Sequence, residues 1–252
     1  TGLTEGEVVL AMSHLVSETI VADQAHINSN SWGPPDTPSA KDQLPSAIND
    51  ALLDGITAGR NGKGVIYVWA AGNGRAADDR VTYDPYASSR YTIAVGASGG
   101  DGLYSDYSEP GPSMLVNAPS EFFANSTRYY TTSTNTTSYT TSFGGTSSAA
   151  PLVSGIIALM LEANPTLTWR DVQQILVESS TKIDLTNPDW ITNGGGHHYN
   201  ENYGYGRINA EAAVHLATSW TNLPAELSPL NDGEAAIAIS IPYSDPIGID
   251  RT

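Results

Sequence analysis

The segment Gly64-Val-Ile-Tyr-Val-Trp-Ala70 confines the fold more than any other part of this chain. Its apolar, largely β-branched residues are bounded by glycine and show no polar alternation, as in a strand buried on both faces. Residues 91–95, Tyr-Thr-Ile-Ala-Val, read the same way, and a further strand is expected at 27–30. Between them, Ala47, Ile48, Ala51, Leu52 and Ile56 recur at helical spacing, with Gly59 placed as a C-cap. Residues 148–163 form the clearest expected helix, with Pro151 assigned to its first turn and Asn164-Pro165 beyond its end. Thr168 followed by Asp171 reads as an N-cap with an acidic third position, opening a helix to about residue 179. Asn209 is placed as the cap of another helix, to about residue 219. Strands alternating with helices give an α/β chain with a parallel sheet.

The composition excludes several functions. Twenty-seven acidic residues against 11 basic ones leave a net charge of −16, a surface that repels nucleic acid. Such a surface suits a cationic substrate or calcium, or simply maintains solubility. There is no cysteine, hence no thiol nucleophile, thiolate metal site or disulfide scaffold. No run of about 18 consecutive apolar residues occurs, the usual mark of a membrane span. Residues 126–142 are Ser or Thr at 12 of 17 positions, which suits either a flexible loop or strands at a sheet edge, the strands being favoured. Asn125-Ser-Thr127 and Asn135-Thr-Thr137 match glycosylation acceptors, a pattern that such a composition also produces by chance. After residue 221 prolines at 224, 229, 242 and 246 interrupt the chain, and Ile237, Ile239 and Ile241 alternate as in one strand.

Three short segments carry chemistry. Gly145-Thr-Ser147-Ser-Ala-Ala-Pro151 stands where the clearest helix begins. A serine there lies over the positive end of the helix dipole, beside amides able to face an oxyanion; the plainer alternative is an N-cap. Ala70-Ala-Gly-Asn73-Gly74 follows a buried strand, at the sheet end where ligands bind, and its Asn amide could donate to an oxyanion or merely close a turn. Ser31-Trp32-Gly33-Pro34 is a glycine-bearing loop after a strand, able to pair with an extended peptide.

Together these segments resemble the subtilisin-like serine proteases. The resemblance implies Ser147 as nucleophile, Asn73 as oxyanion-hole amide, and Ser31, Trp32 and Gly33 as the loop lining the substrate channel. It narrows to the kexin/furin-like proprotein convertases through Ser-Trp-Gly-Pro at Ser31, Val-Trp-Ala-x-Gly-Asn-Gly at Val68, Leu-Glu-Ala-Asn-Pro-x-Leu-Thr-Trp-Arg-Asp at Leu161, and Tyr-Gly-Tyr-Gly at Tyr203. It implies a subtilisin-like sheet with helices on both faces over residues 1–221. Residues 222–252 are then a linker and the first strand of a β-sandwich domain that the chain does not complete. The lack of cysteine departs from the animal and fungal members and suggests a bacterial relative, secreted or periplasmic.

The family's catalytic Asp and His precede the Asn in sequence, each in its own motif. His14, His26, His197, His198 and His215 stand in no such motif, so that pair is expected upstream of this chain. His197 and His198 read as loop residues. The same resemblance implies that Asp36 and Asp84, with Tyr86, receive an arginine or lysine just before the cut, and that Asp42 serves a basic side chain further upstream on the substrate. Asp36, Asp79 and Glu109 resemble a calcium site, whereas Ser13 replaces an acidic channel residue. The leading expectation is a calcium-dependent endopeptidase for peptides and proteins with basic, preferentially dibasic, sites. A broad-specificity subtilisin and a non-catalytic pseudoprotease module are the alternatives.

Overall fold

The computed structural model describes residues 25–38, 43–121, 129–133 and 138–224. Ser13, His14, Asp42, both glycosylation patterns and the expected strand at 237–241 lie outside these residues. The chain separates into two units, Thr1–Asn222 and Leu223–Thr252, and every element below belongs to the first.

Among the described residues four parallel strands form the central sheet in sequential order: β1 (Ile27–Asn30), β2 (Ile66–Ala70), β3 (Thr92–Gly99) and β4 (Met114–Glu121). All residues of β2 and β3 are buried, as the unbroken apolar runs imply. Strand β4 escapes sequence reading because Met-Leu-Val-Asn-Ala-Pro-Ser-Glu carries Pro119 and three polar residues, Asn117, Ser120 and Glu121. The proline is tolerated at β4 because, among the described residues, this strand has β3 on one side and only isolated bridges, such as Asn117 to Arg207, on the other.

Among the described residues four helices accompany the sheet: α1 (Ser46–Gly62), α2 (Thr146–Ala163), α3 (Trp169–Ser179) and α4 (Ala210–Thr218). Helix α1 buries Ile48, Leu52 and Ile56, and a Cβ at its Gly55 would lie 1.9 Å from the Tyr67 hydroxyl of β2. Regular α geometry ends at Gly59, as placed, yet Gly59 is not left-handed (φ −58°, ψ 150°); Arg60 and Asn61 are. Helix α2 packs across all four strands and against α4. It starts two residues earlier than expected, and Pro151 is its sixth residue rather than part of its first turn. Helix α2 is long and apolar enough to cross a membrane by length and composition, but half of it is buried, as befits a core helix, which leaves the reading of no membrane segment standing. Helix α3 has the expected capping box: Thr168 Oγ1 accepts from the Asp171 amide, and Asp171 Oδ2 accepts from the Thr168 amide at 2.7 Å. Asn209 caps α4 through the Ala212 amide at 3.0 Å.

The Ser/Thr-rich segment does form strands, β5 (Tyr129–Thr132) and β6 (Tyr139–Phe143). Among the described residues they pair with each other, antiparallel, and not with the edge of the main sheet. Two residues each of β7 (Ile191–Thr192) and β8 (His198–Tyr199) form a second ribbon. His198 thus sits in a strand rather than a loop, its ring edge-on to Trp190.

Candidate active site

Strands β1 and β2 end on the same side of the sheet, and the loops that leave them supply Ser31 and Asn73. Helix α2 begins at the same place, so Ser31, Asn73 and Ser147 line one pocket. Gly145 makes this possible. It precedes the helix at φ 76°, a left-handed conformation, and a Cβ there would come 3.1 Å from Asn73 Oδ1. Strand β4 anchors the turn: Ser120 Oγ donates to the Gly145 carbonyl at 2.7 Å and lies 2.7 Å from Ser148 Oγ.

Asn73 is oriented by its carbonyl end. Its Oδ1 accepts from the Thr146 amide (2.9 Å) and the Thr146 hydroxyl (3.1 Å), while Thr146 Oγ1 accepts from the Gly72 amide (3.2 Å). A backbone amide can only donate, which fixes the flip of the side chain. The Nδ2 end is left for the pocket. The Ser147 amide belongs to the helical first turn, where amides lack an intrahelical acceptor. A carboxamide donor, an orphan amide and a half-buried hydroxyl therefore converge. Ser147 Oγ has no hydrogen-bond partner among the described residues.

The loop after β1 rests on an aromatic stack. Trp32 meets Trp69 edge-on at 5.0 Å and Tyr86 at 4.9 Å, while Trp69 and Tyr86 stack at 5.2 Å. Trp69 Nε1 donates to the Trp32 carbonyl at 2.8 Å, and Trp32 Nε1 donates to Asn30 Oδ1 at 3.1 Å. Tyr86 packs as a support of this loop, and the aromatic residues that line the pocket are Trp32 and Tyr83. Asp84 lines it too. Its Oδ1 caps a turn by accepting from the Tyr86 amide at 2.8 Å, and its Oδ2 comes so near Gly33 that a Cβ there would lie 2.8 Å away.

Further carboxylates crowd the same pocket. One oxygen each of Asp36, Asp79 and Glu109 lies within 4.8 Å of the others, with Asp79 and Glu109 buried. Asp79 Oδ1 accepts from the Arg80 amide at 2.8 Å, and Glu109 Oε1 from the Gly74 amide at 2.9 Å. Gly74 has to be bare: a Cβ there would meet Asp79 Cβ at 2.6 Å and Asp36 Cβ at 2.8 Å. Burial pushes the Glu109 carboxyl up to about 8; the Gly74 amide pulls against this, and the charges of Asp79, Asp36 and Asp84 reinforce it.

Of the residues expected at the site, Ser31, Trp32, Gly33, Asp36, Asn73, Asp79, Asp84, Glu109 and Ser147 share this pocket. Sequence reading missed Thr146, which orients Asn73, and Tyr83. It also missed Gly72 and Gly74 as packing requirements, although the Gly-Asn-Gly pattern was visible.

A parallel sheet whose strand ends and helix start deliver an amide side chain and a serine into one acidic cleft is the arrangement of a subtilisin-like fold. The chain belongs to the Subtilase family, whose model matches residues 2–206. It is 41% identical over 207 residues to a PC3-like endoprotease, variant B, of Hydra vulgaris, covering 81% of this chain and 29% of that relative. It is also 41% identical over 198 residues to furin of Homo sapiens, covering 79% and 25%. Its curated relatives are furin- and kexin-like proprotein convertases. Among solved structures, the serine protease of Aeromonas sobria in complex with its chaperone superposes with a TM-score of 0.72 at 22% identity, over 84% of this chain and 46% of that one. That likeness is one of fold. The chain spans less than a third of the length of the two curated relatives.

Proposed function

We propose that this chain carries the nucleophile, the oxyanion hole and the specificity pocket of a serine endopeptidase that cuts after arginine or lysine, best after a basic pair. The observation that carries this reading is the locked orientation of Asn73 beside Ser147. Ser147 Oγ attacks the scissile carbonyl and forms an acyl-enzyme, its proton passing to a histidine expected upstream of this chain. Negative charge developing on the carbonyl oxygen meets Asn73 Nδ2 and the Ser147 amide, donors already in place. The substrate lies extended along residues 31–33.

Asp84 and Asp36 in the pocket favour a cationic side chain. A guanidinium fork can address two carboxylates at once, which places arginine ahead of lysine. Asp42 stays proposed for a basic side chain further upstream. Three clustered carboxylates are unfavourable without a cation, and their hard oxygens suit calcium. Asp36, Asp79 and Glu109 would hold the ion, which supplies positive charge behind the pocket and keeps the Gly72–Gly74 turn in place. The relatives' names and the absence of a need for disulfides in a core this size fit secretion or a periplasmic location.

The test is a peptide library digested by the full-length protein, with and without chelator, beside Ser147→Ala. Cleavage after Arg or Lys that disappears in chelator and in Ser147→Ala is expected. Cleavage after large apolar residues that persists in chelator would replace this reading with a broad-specificity subtilisin. Activity surviving in Ser147→Ala would remove the nucleophile assignment.

A further inference from the structure

Within an α-helix the carbonyl of residue 147 accepts from the amide of residue 151. In α2 that residue is Pro151, which has no amide proton. The carbonyl of the nucleophile is thereby deprived of its helical partner. Its partner comes from another element: Ser31 Oγ donates to the Ser147 carbonyl at 3.0 Å, across 116 positions of sequence. A second serine pair lies along the same seam. Ser154, seven residues further along α2 and so on the same helical face, has its Oγ 2.8 Å from Ser29 Oγ in β1 and 3.1 Å from the Ala150 carbonyl.

We infer that Ser31 is a positioning residue: its hydroxyl replaces the helical donor that Pro151 removes and fastens the peptide unit of the nucleophile to the loop along which the substrate lies. Two parts of the site that belong to different elements then hold one spacing, the distance from the bound peptide to Ser147 Oγ. Without this tie the carbonyl of Ser147 rotates toward solvent or a water, and the attacking oxygen loses its fixed place. The inference rests on the reading of Ser147 as nucleophile.

The experiment is a double-mutant cycle on the full-length protein, with kcat and KM measured on one basic peptide for Ser31→Ala, Pro151→Ala and the pair. Losing a hydrogen bond of this kind is worth about fivefold, expected in kcat while KM changes by less than about twofold. An alanine at 151 restores an amide to the Ser147 carbonyl, so Ser31→Ala should cost less than about twofold in that background. Ser31→Thr should recover most of the loss and Ser31→Val should not. The Thr–Val pair, nearly equal in shape, carries the comparison if Ser31→Ala fails to fold, which circular dichroism reveals. An equal loss from Ser31→Ala in both backgrounds, or equal rates for Thr and Val, overturns the inference. Ser147→Ala is the separate control. If it stays active, the reading of the nucleophile fails; if it is inactive and the cycle is additive, only the role of Ser31 fails.

Discussion

Asn73 Oδ1 accepts both the amide proton and the hydroxyl proton of Thr146, the residue immediately before Ser147. The proposed oxyanion donor and the proposed nucleophile are therefore tied to adjacent residues of one helix start. Asn73→Ala removes the donor and leaves Ser147 in place. Turnover should fall on the order of 10²–10³, a figure that comes from subtilisin, a member of the same family, rather than from this geometry. Asn73→Asp should be worse than Asn73→Ala. It keeps an acceptor for Thr146 but sets a negative charge where the oxyanion forms. Single-turnover rates at saturating substrate check both, and an Asn73→Ala rate equal to that of the parent would refute the assignment.

Thr146 offers a subtler test. Thr146→Val deletes the hydroxyl that accepts from Gly72 and donates to Asn73, while the backbone bond to Asn73 Oδ1 survives. The expected loss in kcat is about fivefold, the worth of a neutral hydrogen bond, well short of that in Asn73→Ala. A loss as large as that of Asn73→Ala would mean that the side-chain bond, rather than the backbone bond, orients the amide.

Gly74 separates three carboxylates by having no side chain. Gly74→Ala should push Asp36 and Asp79 apart and weaken calcium binding by roughly 10–100-fold, as is usual when residues supporting metal ligands are disturbed. Calorimetric titration of the intact protein with calcium reads this directly. Unchanged affinity would mean that calcium binds elsewhere.

The raised pKa of Glu109 has a defined sign. In chelator the folded state keeps its proton up to about 8, whereas the unfolded chain releases it near the ordinary carboxyl value. The folded state binds more protons between those limits. Its stability from this group is complete at low pH and is lost as pH rises toward 8. The melting temperature in chelator should therefore decline across that interval. Saturating calcium, which needs the ionised carboxylate, should remove the decline. A melting temperature in chelator that climbs over this range would contradict the burial of an uncompensated Glu109.

Gly33→Ala probes specificity. Its Cβ would lie 2.8 Å from Asp84 Oδ2, the movable end of that side chain, so Asp84 should swing away. The preference for arginine over its neutral isostere citrulline should drop on the order of tenfold, the worth of a charge-assisted hydrogen bond. Paired kcat/KM measurements on the two substrates decide it; an unaltered ratio would place the recognition of the cation elsewhere.

What was legible in the sequence was local. Buried runs at 66–70 and 92–95, the Thr168–Asp171 capping box and the Asn209 cap all declare themselves within a few residues. That Ser147 and Asn73 would meet in one pocket was legible because motif and secondary structure coincide there. Strand β4 was not, since its burial comes from β3 and the 206–208 segment rather than from an apolar pattern of its own. The Thr146–Asn73 lock joins residues 73 positions apart, and no spacing rule announces it. The carboxylates at 36, 79 and 109 were grouped only through the family resemblance, because their meeting point is a glycine that no periodicity marks. Pro151 was assigned to a first turn because proline is favoured there; its actual place withdraws an amide one turn further on.

The indole of Trp69 occupies the Trp32 carbonyl from behind. In an extended segment successive carbonyls point to opposite sides, so a peptide docked along this loop as proposed would find pairing groups at residues 31 and 33 but not at 32. A peptide that moves by one residue must also turn over to pair again, because a shift of one carries every side chain to the opposite face. In the proposed function, one side chain of a docked peptide then faces the acidic pocket while its two neighbours in sequence face away from it.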